Sequence, residues 1–379
     1  MQDRAPLGPE KLVERVRLDL TQAFGSTTAV TEAAFSHGVV GLMSEHTHYF
    51  PGFALLMPIH QGTAVAVRAS ETGPSRFVVD GSQPHEIGSA ADAAGGLLAG
   101  ILKALDLGAW PLEFAIERTI PQWWREAGLV AMGVAAVRAI QALFALPLDN
   151  RILMRHVSQA VAHVLDLPFS PGYALAADAG RPGRYMLVDT AEEETLTLPG
   201  ADTHALSWGA VHLDGDDERT RRTVREQVTL ADRALDVLRR HGFPGLTSYR
   251  ELEHRDLERA LDVLSGRLAG VVRYLVTENR RVQKMVAAVR RGDWQLLGAF
   301  MLMSHAVQRE DWGMTTLAAD HVVAQVESMT IEGLYGARST GRNNTVLLAG
   351  QTFVVPDFLD RITDDVRRRF GQSAESLLL

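Results

Sequence analysis

Cysteine is absent from all 379 residues, which excludes disulfides, thiolate zinc sites and a cysteine nucleophile and fits a reducing cytoplasm. The N-terminus, Met1 to Phe24, mixes charges through its apolar residues and lacks the apolar core of a signal peptide. No clean membrane span is present either. The longest apolar run, around Leu129–Leu148, is interrupted by Arg138 and Gln141, and its Gly133, Ala135 and Ala136 suit a helix packed closely inside a protein. There is no basic stripe interleaved with aromatics, and Arg221-Arg222 and Arg290-Arg291 sit among acids as solvated helix faces. A net charge of −8 and a pI near 5.9 also argue against nucleic acid or anionic membrane as partners. Internal repeats and low-complexity tails are missing too.

What is present is enough chain for two lobes, with 46% hydrophobic and 22% charged residues. Val13–Phe24 reads as an amphipathic helix. Phe53–Ile59 and Thr63–Arg68 read as two strands joined by a turn at His60-Gln61-Gly62. Ala90–Leu105, Leu129–Leu146 and Ile152–Leu165 read as helices. Pro182-Gly183 marks a turn before a strand at Tyr185–Asp189, and a polar stretch, Thr190–Thr203, separates that strand from another at Ala205–His212. Charged helices follow at Glu218–Arg240, Tyr249–Ser265, Leu268–Arg291, Asp293–Val307 and Thr316–Ser328. A strand pair, Thr345–Ala349 and Thr352–Val355, then leads into a helix from Pro356. The class is α+β, with domains 1–200 and 201–379 and an expected monomer or weak dimer.

Several ordered blocks carry a resemblance. Ser44 to Phe53 contains E-H-T-H-Y at Glu45–Tyr49; Leu167-Pro168 is followed at fixed length by Tyr185–Asp189; Ala288–His305 ends in S-H; and Gly336-Ala337-Arg338-Ser339-Thr340-Gly341 reads G-A-R-S-T-G. In order and spacing these resemble the galactokinase family of the GHMP kinase superfamily, with its E-H-T-D-Y, V-P, L-L-I-D, R-R-G-D-Y and G-A-R-M-T-G segments. The resemblance implies a GHMP-kinase-like two-domain fold, mixed sheets with packed helices, and an active-site cleft between the domains.

The departures concentrate on phosphate chemistry. The family's arginine, six residues before the motif glutamate, is Val39 here. Its catalytic aspartate falls at Tyr173, counted forward from Pro168 and backward from Asp189. The phosphate loop G-L-S-S-S-A is Gly128-Leu129-Val130-Ala131-Met132-Gly133, which has no hydroxyl and lies beside Trp123-Trp124, read as a plug in the nucleotide channel. Its helix-start amides remain able to receive an anion. A family glycine run becomes Arg342-Asn343-Asn344. Phosphoryl transfer depends on cations, metal and amide donors acting together, so loss of these parts implies that neither ATP nor Mg²⁺ is a cofactor.

The resemblance makes Glu45 and His46 ligand-contact candidates, with a buried hydrogen-bonded carboxylate as the alternative for Glu45. His48 replaces an acceptor-only aspartate with a group that can donate, accept and titrate near neutrality, which puts galactose itself in question; the alternative is a surface histidine in a degenerate site. Tyr173 is either an acid–base partner to His48 or an aromatic ring filling vacated space. Catalytic candidates are therefore Glu45, His48 and Tyr173, and substrate contacts add His46, Tyr49, Ser170, Arg342 and Asn343. Arg338 is expected to meet a surface carboxylate, Glu218 to lie in an exposed acidic turn, and His212 and His305 to make structural hydrogen bonds. No third ligand joins His46, His48 and Glu45 at metal-site spacing, so no metal is expected.

Three functions fit. One is a non-kinase enzyme using acid–base residues on a sugar-like small molecule, the reading favoured by His and Tyr in the old cleft. Another is a pseudokinase that senses a ligand and binds a protein partner. The third is a sugar kinase with a rebuilt nucleotide site.

Overall fold

The structure, a computed structural model, describes residues 8–88, 92–200, 205–340 and 344–379. The chain divides into two units, Met1–Val40 with Met57–Pro182, and Gly41–Leu56 with Gly183–Leu379. Sequence placed a single boundary near residue 200. Here the E-H-T-H-Y segment instead belongs with the C-terminal unit, because its partners lie there.

In the first unit, helix α1 (Pro9–Phe24) starts at a proline whose missing N–H costs nothing in the first turn. Its Leu12, Val16 and Leu20 fall on one face and bury against Ala64, Ala66, Val78 and Ala115. The unit continues through β1 (Thr31–Met43), β2 (Phe53–Ala69), β3 (Arg76–Val79), β4 (His85–Glu86), α2 (Ala93–Ala104), β5 (Leu112–Arg118), α3 (Arg125–Phe144), α4 (Asn150–Leu165) and α5 (Gly172–Ala179). Its sheet runs β4-β3-β5-β2, with β3 parallel to β5 and the other two pairs antiparallel. Helices α2 to α5 pack on one another. By length and composition α3 could cross a membrane, but 67% of its most apolar stretch is buried, as in a core helix. Arg138, the charge inside that helix, makes a bidentate pair with Asp178 of α5 at 2.6 and 2.7 Å.

The expected turn at His60-Gln61-Gly62 is not a turn: β2 runs unbroken from Phe53 to Ala69. Gly62 is needed for close approach, since a Cβ there would lie 2.2 Å from the Phe35 ring and 2.3 Å from the Ser36 carbonyl oxygen. Its amide also donates to Thr119 Oγ1 at 2.9 Å.

The second unit comprises β6 (Tyr185–Asp189), β7 (Glu194–Leu198), β8 (Ser207–Leu213), α6 (Asp217–Arg240), α7 (Leu257–Asp262), α8 (Arg267–Arg291), α9 (Trp294–Val307), α10 (Leu317–Ser328), β9 (Leu334–Ser339), β10 (Thr345–Gly350), α11 (Val355–Phe370) and β11 (Ala374–Leu378). Its four-stranded antiparallel sheet has the order β11-β8-β10-β9. Helices α10 and α11 bury Val322, Val326, Phe358, Leu359 and Ile362 against Val211, Leu334, Val346 and Leu348.

Three expectations fail here. The span Tyr249–Ser265 is broken into two 3₁₀ turns and the short α7, because Leu252 and Glu253 are extended and the Glu251 carboxylate accepts the Thr247 amide. Thr352–Val355 is no strand: the Val354 amide turns back to the Gln351 carbonyl as α11 begins, and β10 pairs with β9 instead. The polar stretch before β8 contains β7, a mostly exposed edge strand whose short Thr-Leu-Thr-Leu alternation was passed over.

One buried feature of the first unit makes a measurable demand. Glu117 on β5 is 5% exposed and hydrogen-bonds the Asp19 carboxyl of α1, while Arg15 lies 3.3 Å from Glu117 and 3.9 Å from Asp19. Asp80, itself paired with Arg118, adds further negative charge nearby. Burial, followed by the Asp19 contact, pushes Glu117 up to about 7 from an ordinary 4.5. The folded state therefore holds a proton more tightly than the unfolded chain, and stability falls as pH rises from 4.5 to about 7. Glu117→Gln keeps a donor toward Asp19 without the charge. Unfolding in denaturant near pH ~8 is expected to find it more stable than the parent by roughly 2 kcal/mol, and the gain should vanish near pH ~4.

Candidate functional site

The E-H-T-H-Y segment forms a tight turn rather than a strand. Ser44 organises it: its carbonyl oxygen accepts the Thr47 and His48 amides at 3.2 and 3.1 Å, Thr47 Oγ1 at 3.2 Å and His48 Nδ1 at 2.9 Å. The last bond places a proton on Nδ1, so in the neutral ring Nε2 carries the lone pair. His46 has φ of 65°, a conformation few non-glycine residues adopt. It is fully buried, its Nδ1 lies 2.8 Å from the Tyr49 hydroxyl, and its ring stacks on Trp312 at 4.9 Å. Glu45 and His48 are 5% and 1% exposed, so the surface-histidine alternative fails.

A buried charge network holds this turn from behind. Arg338 on β9 is fully buried and pairs with Glu45, correcting the expectation of a surface carboxylate partner. Its Nε donates to Ser304 Oγ at 3.1 Å, and Ser304 donates to Glu278 at 2.5 Å. Glu278 in turn pairs with Arg281 one turn along α8. Two carboxylates and two guanidinium groups thus balance inside the unit, as buried charges require. Tyr274, one turn before Glu278, donates to the Glu45 carbonyl oxygen at 3.2 Å, and Asn279 accepts the Phe53 amide at 2.8 Å. Burial raises the Tyr274 hydroxyl well above its ordinary range and pulls Arg281 down to about 10.

Close backbone approach makes the network possible. A Cβ on Gly298 of α9 would lie 2.0 Å from the Tyr335 carbonyl oxygen, and one on Gly336 of β9 would lie 2.1 Å from that of Gly298. Only glycines let α9 settle on β9 closely enough for Ser304 to reach Arg338. Beyond Ser304 and His305 the helix widens into a π turn, Gln308–Trp312, which ends at Gly313 and delivers Trp312 to Tyr274 and His46. Gln227 of α6 fixes that turn by donating to the Trp312 carbonyl oxygen at 2.6 Å.

His305, 4% exposed, accepts the Ser339 amide on Nδ1 at 3.1 Å, so its proton sits on Nε2, which donates to Asp320 at 3.0 Å. His212 lies 3.3 Å from the Thr345 hydroxyl. Glu218, in the first turn of α6, is exposed and pairs with Arg221. Among the described residues no group of three or more His, Cys, Asp or Glu forms a metal cluster.

The other candidates lie in the first unit. Ser170 accepts the Gly172 amide at 3.3 Å, and Tyr173, 5% exposed in the first turn of α5, packs its ring 5.2 Å from Phe169. Val39 is buried in β1. The stretch Gly128–Gly133 is not a loop: it lies within α3, and the Gly128 amide is spent on the Trp124 carbonyl oxygen at 3.0 Å. Trp123 and Trp124 stack at 5.2 Å. Trp124 walls a pocket of about 370 Å³ that also touches Asp92, Arg118, Gln122, Arg125 and Met132. Arg342 and Asn343 lie outside the described residues.

Sequence reading passed over Tyr274, Glu278 and Arg281, and gave Trp312 no role. The signal was there in part: all three α8 residues share a helix face with Val271, Leu275 and Val282, and charges on an apolar stripe need buried partners.

The galactokinase galactose-binding signature matches residues 20–69. The galactokinase of Thermotoga maritima is 23% identical over 350 residues, covering 88% of this chain and 93% of the relative. The crystal structure of Lactococcus lactis galactokinase complexed with galactose superposes with a TM-score of 0.83 at 18% identity, covering 97% of both chains. L. major mevalonate kinase in complex with R-mevalonate gives 0.59 at 16% identity over 93% of this chain and 97% of that one. These likenesses establish the fold as that of GHMP kinases.

The buried His305 supplies a test of the network's protonation. Burial is the largest influence and lowers it to about 4 from 6.5, against the pull of Asp320. The unfolded chain therefore takes up the proton first, and stability falls as pH drops from 6.5 toward about 4, by about 3 kcal/mol for this group. His305→Gln, whose amide can still donate to Asp320, is expected to flatten the unfolding free energy across that window. An unchanged acid slope would contradict the neutral assignment.

Proposed function

From a chain that belongs to the galactokinase family and has the GHMP-kinase fold, we infer that the turn Ser44–Tyr49 binds a galactose-like sugar and that ATP-driven phosphoryl transfer is absent. The observation that carries this reading is a contrast. The turn keeps a buried polar support from Arg338, Ser304 and Glu278, while Val39, Tyr173 and the Gly128–Gly133 stretch, at positions that handle phosphate in the family, carry apolar or aromatic side chains or none. Val39 and Tyr173 offer neither the cation nor the carboxylate base that phosphoryl transfer needs. The α3 residues Gly128–Gly133 offer no hydroxyl to a magnesium ion, and their first amide is already bonded within the helix. ATP and Mg²⁺ therefore do not fit the residues present.

The chemistry left to the site is proton transfer. His48 donates its Nδ1 proton to the Ser44 carbonyl oxygen, and the ordinary range of an imidazole is near neutral. An imidazole of this kind suits isomerisation or elimination of a sugar-like substrate, with no cofactor. The pocket beside Trp124 favours one second reading, a sugar kinase with a rebuilt nucleotide site, because about 370 Å³ lies within the usual range for a small ligand.

Calorimetry and a coupled assay separate the two. D-galactose is expected to raise the thermal unfolding midpoint. Glu45→Ala should cut that affinity at least about tenfold. ATP with Mg²⁺ should bind no tighter than roughly millimolar and release no ADP when galactose is added. Micromolar nucleotide binding or sugar-dependent ADP release would establish the kinase reading instead.

A further inference from the structure

A carboxylate that contacts a ligand needs its oxygens aimed, and Glu45 is aimed by a residue from the far end of the chain. Arg338 is fully buried, reaches Glu45 through Nη1, and lies 3.5 Å from the Leu42 carbonyl oxygen through the same nitrogen. Its Nε is engaged by Ser304, whose hydroxyl is oriented by Glu278. A guanidinium can hold both contacts at once because its donors form a rigid fork; a lysine ammonium presents a single point and cannot. The Glu45 main chain is fixed separately by Tyr274.

We propose that Arg338 is a positioning residue of the sugar site, holding Glu45 as a charged, acceptor-only group while Ser304 and Glu278 orient its guanidinium. This rests on the reading that the Ser44–Tyr49 turn binds sugar. An ion-paired carboxylate stays ionised, so Glu45 accepts hydrogen bonds from ligand hydroxyls and does not itself carry a proton through a reaction. Its assignment moves from catalytic candidate to ligand-orienting group. Arg338 of the G-A-R-S-T-G segment then acts on the ligand through Glu45.

A double-mutant cycle with D-galactose tests this. Arg338→Met and Glu45→Gln are each expected to weaken galactose binding at least about tenfold, and the double variant should bind no worse than the weaker single. A merely structural arginine would give losses that multiply. Ser304→Ala leaves the charges in place and should cost a few-fold, while Arg338→Lys should recover only part of the loss. Should Arg338→Met fail to fold, the charge-balanced double variant and Ser304→Ala still complete the comparison.

Hydrogen exchange in the absence of sugar provides a separate readout. Ser304→Ala and the folded Arg338 variants should speed exchange of the Thr47 and His48 amides, leaving α10 and α11 unchanged. Multiplying losses, wild-type affinity in Arg338→Met, or unaltered exchange in the turn would each overturn the proposal. If the parent protein binds no galactose, the sugar-site reading fails, and exchange alone decides whether Arg338 positions Glu45.

Discussion

The buried pair between Glu45 and Arg338 is the constraint around which the second unit is arranged. Two opposite charges removed from water are offset only by close pairing and by further hydrogen bonds around them. That demand propagates outward. Arg338 needs Ser304, Ser304 needs a carboxylate beyond it, and Glu278 then needs Arg281. For Ser304 to sit within 3.1 Å of Arg338, α9 must lie directly on β9, and the facing glycines Gly298 and Gly336 answer that requirement. The left-handed turn at His46 is held in turn by the stacked rings of Trp312 and Tyr274. A local motif of five residues is thus supported by α8, α9 and β9, elements more than two hundred positions later.

The first unit follows different physics. Its helix α3 is buried along most of its length, with small residues used for close packing. Gly133 meets Val157 of α4, where a Cβ would lie 2.7 Å from Cγ1. Donor groups spent on helix hydrogen bonds cannot also solvate a phosphate. Trp124 forms part of the wall of the pocket at the start of α3.

Much of this was legible in the sequence wherever a motif or a strong period existed. Strand β6 falls on the residues read for it, and α3, α4, α6, α8, α9 and α10 fall within a few residues of expectation. The failures share a cause, which is that tertiary contact decided the outcome. Gly62 reads as a turn residue unless the Phe35 ring above it is known. Tyr249–Ser265 has helical composition, yet Arg250 is drawn into a bidentate pair with Asp189 and Glu251 caps a preceding amide. Arg338 was noticed as part of a motif but given a surface partner, because spacing along a chain does not show which carboxylate lies across 293 residues. The three α8 side chains were invisible for the same reason.

The network also limits which group can move a proton if the site turns anything over. Arg338 keeps Glu45 ionised, and a guanidinium does not give up its own proton. Tyr274 is pushed upward by burial and stays a phenol. His305 is held neutral, with its single proton directed at Asp320. Each of these groups is fixed in one protonation state near neutral pH, which suits a scaffold and disqualifies a shuttle. Among the motif histidines, His46 has Nδ1 committed to Tyr49 and its ring clamped by Trp312, while His48 donates through Nδ1 to the Ser44 carbonyl oxygen and meets the edge of Tyr49.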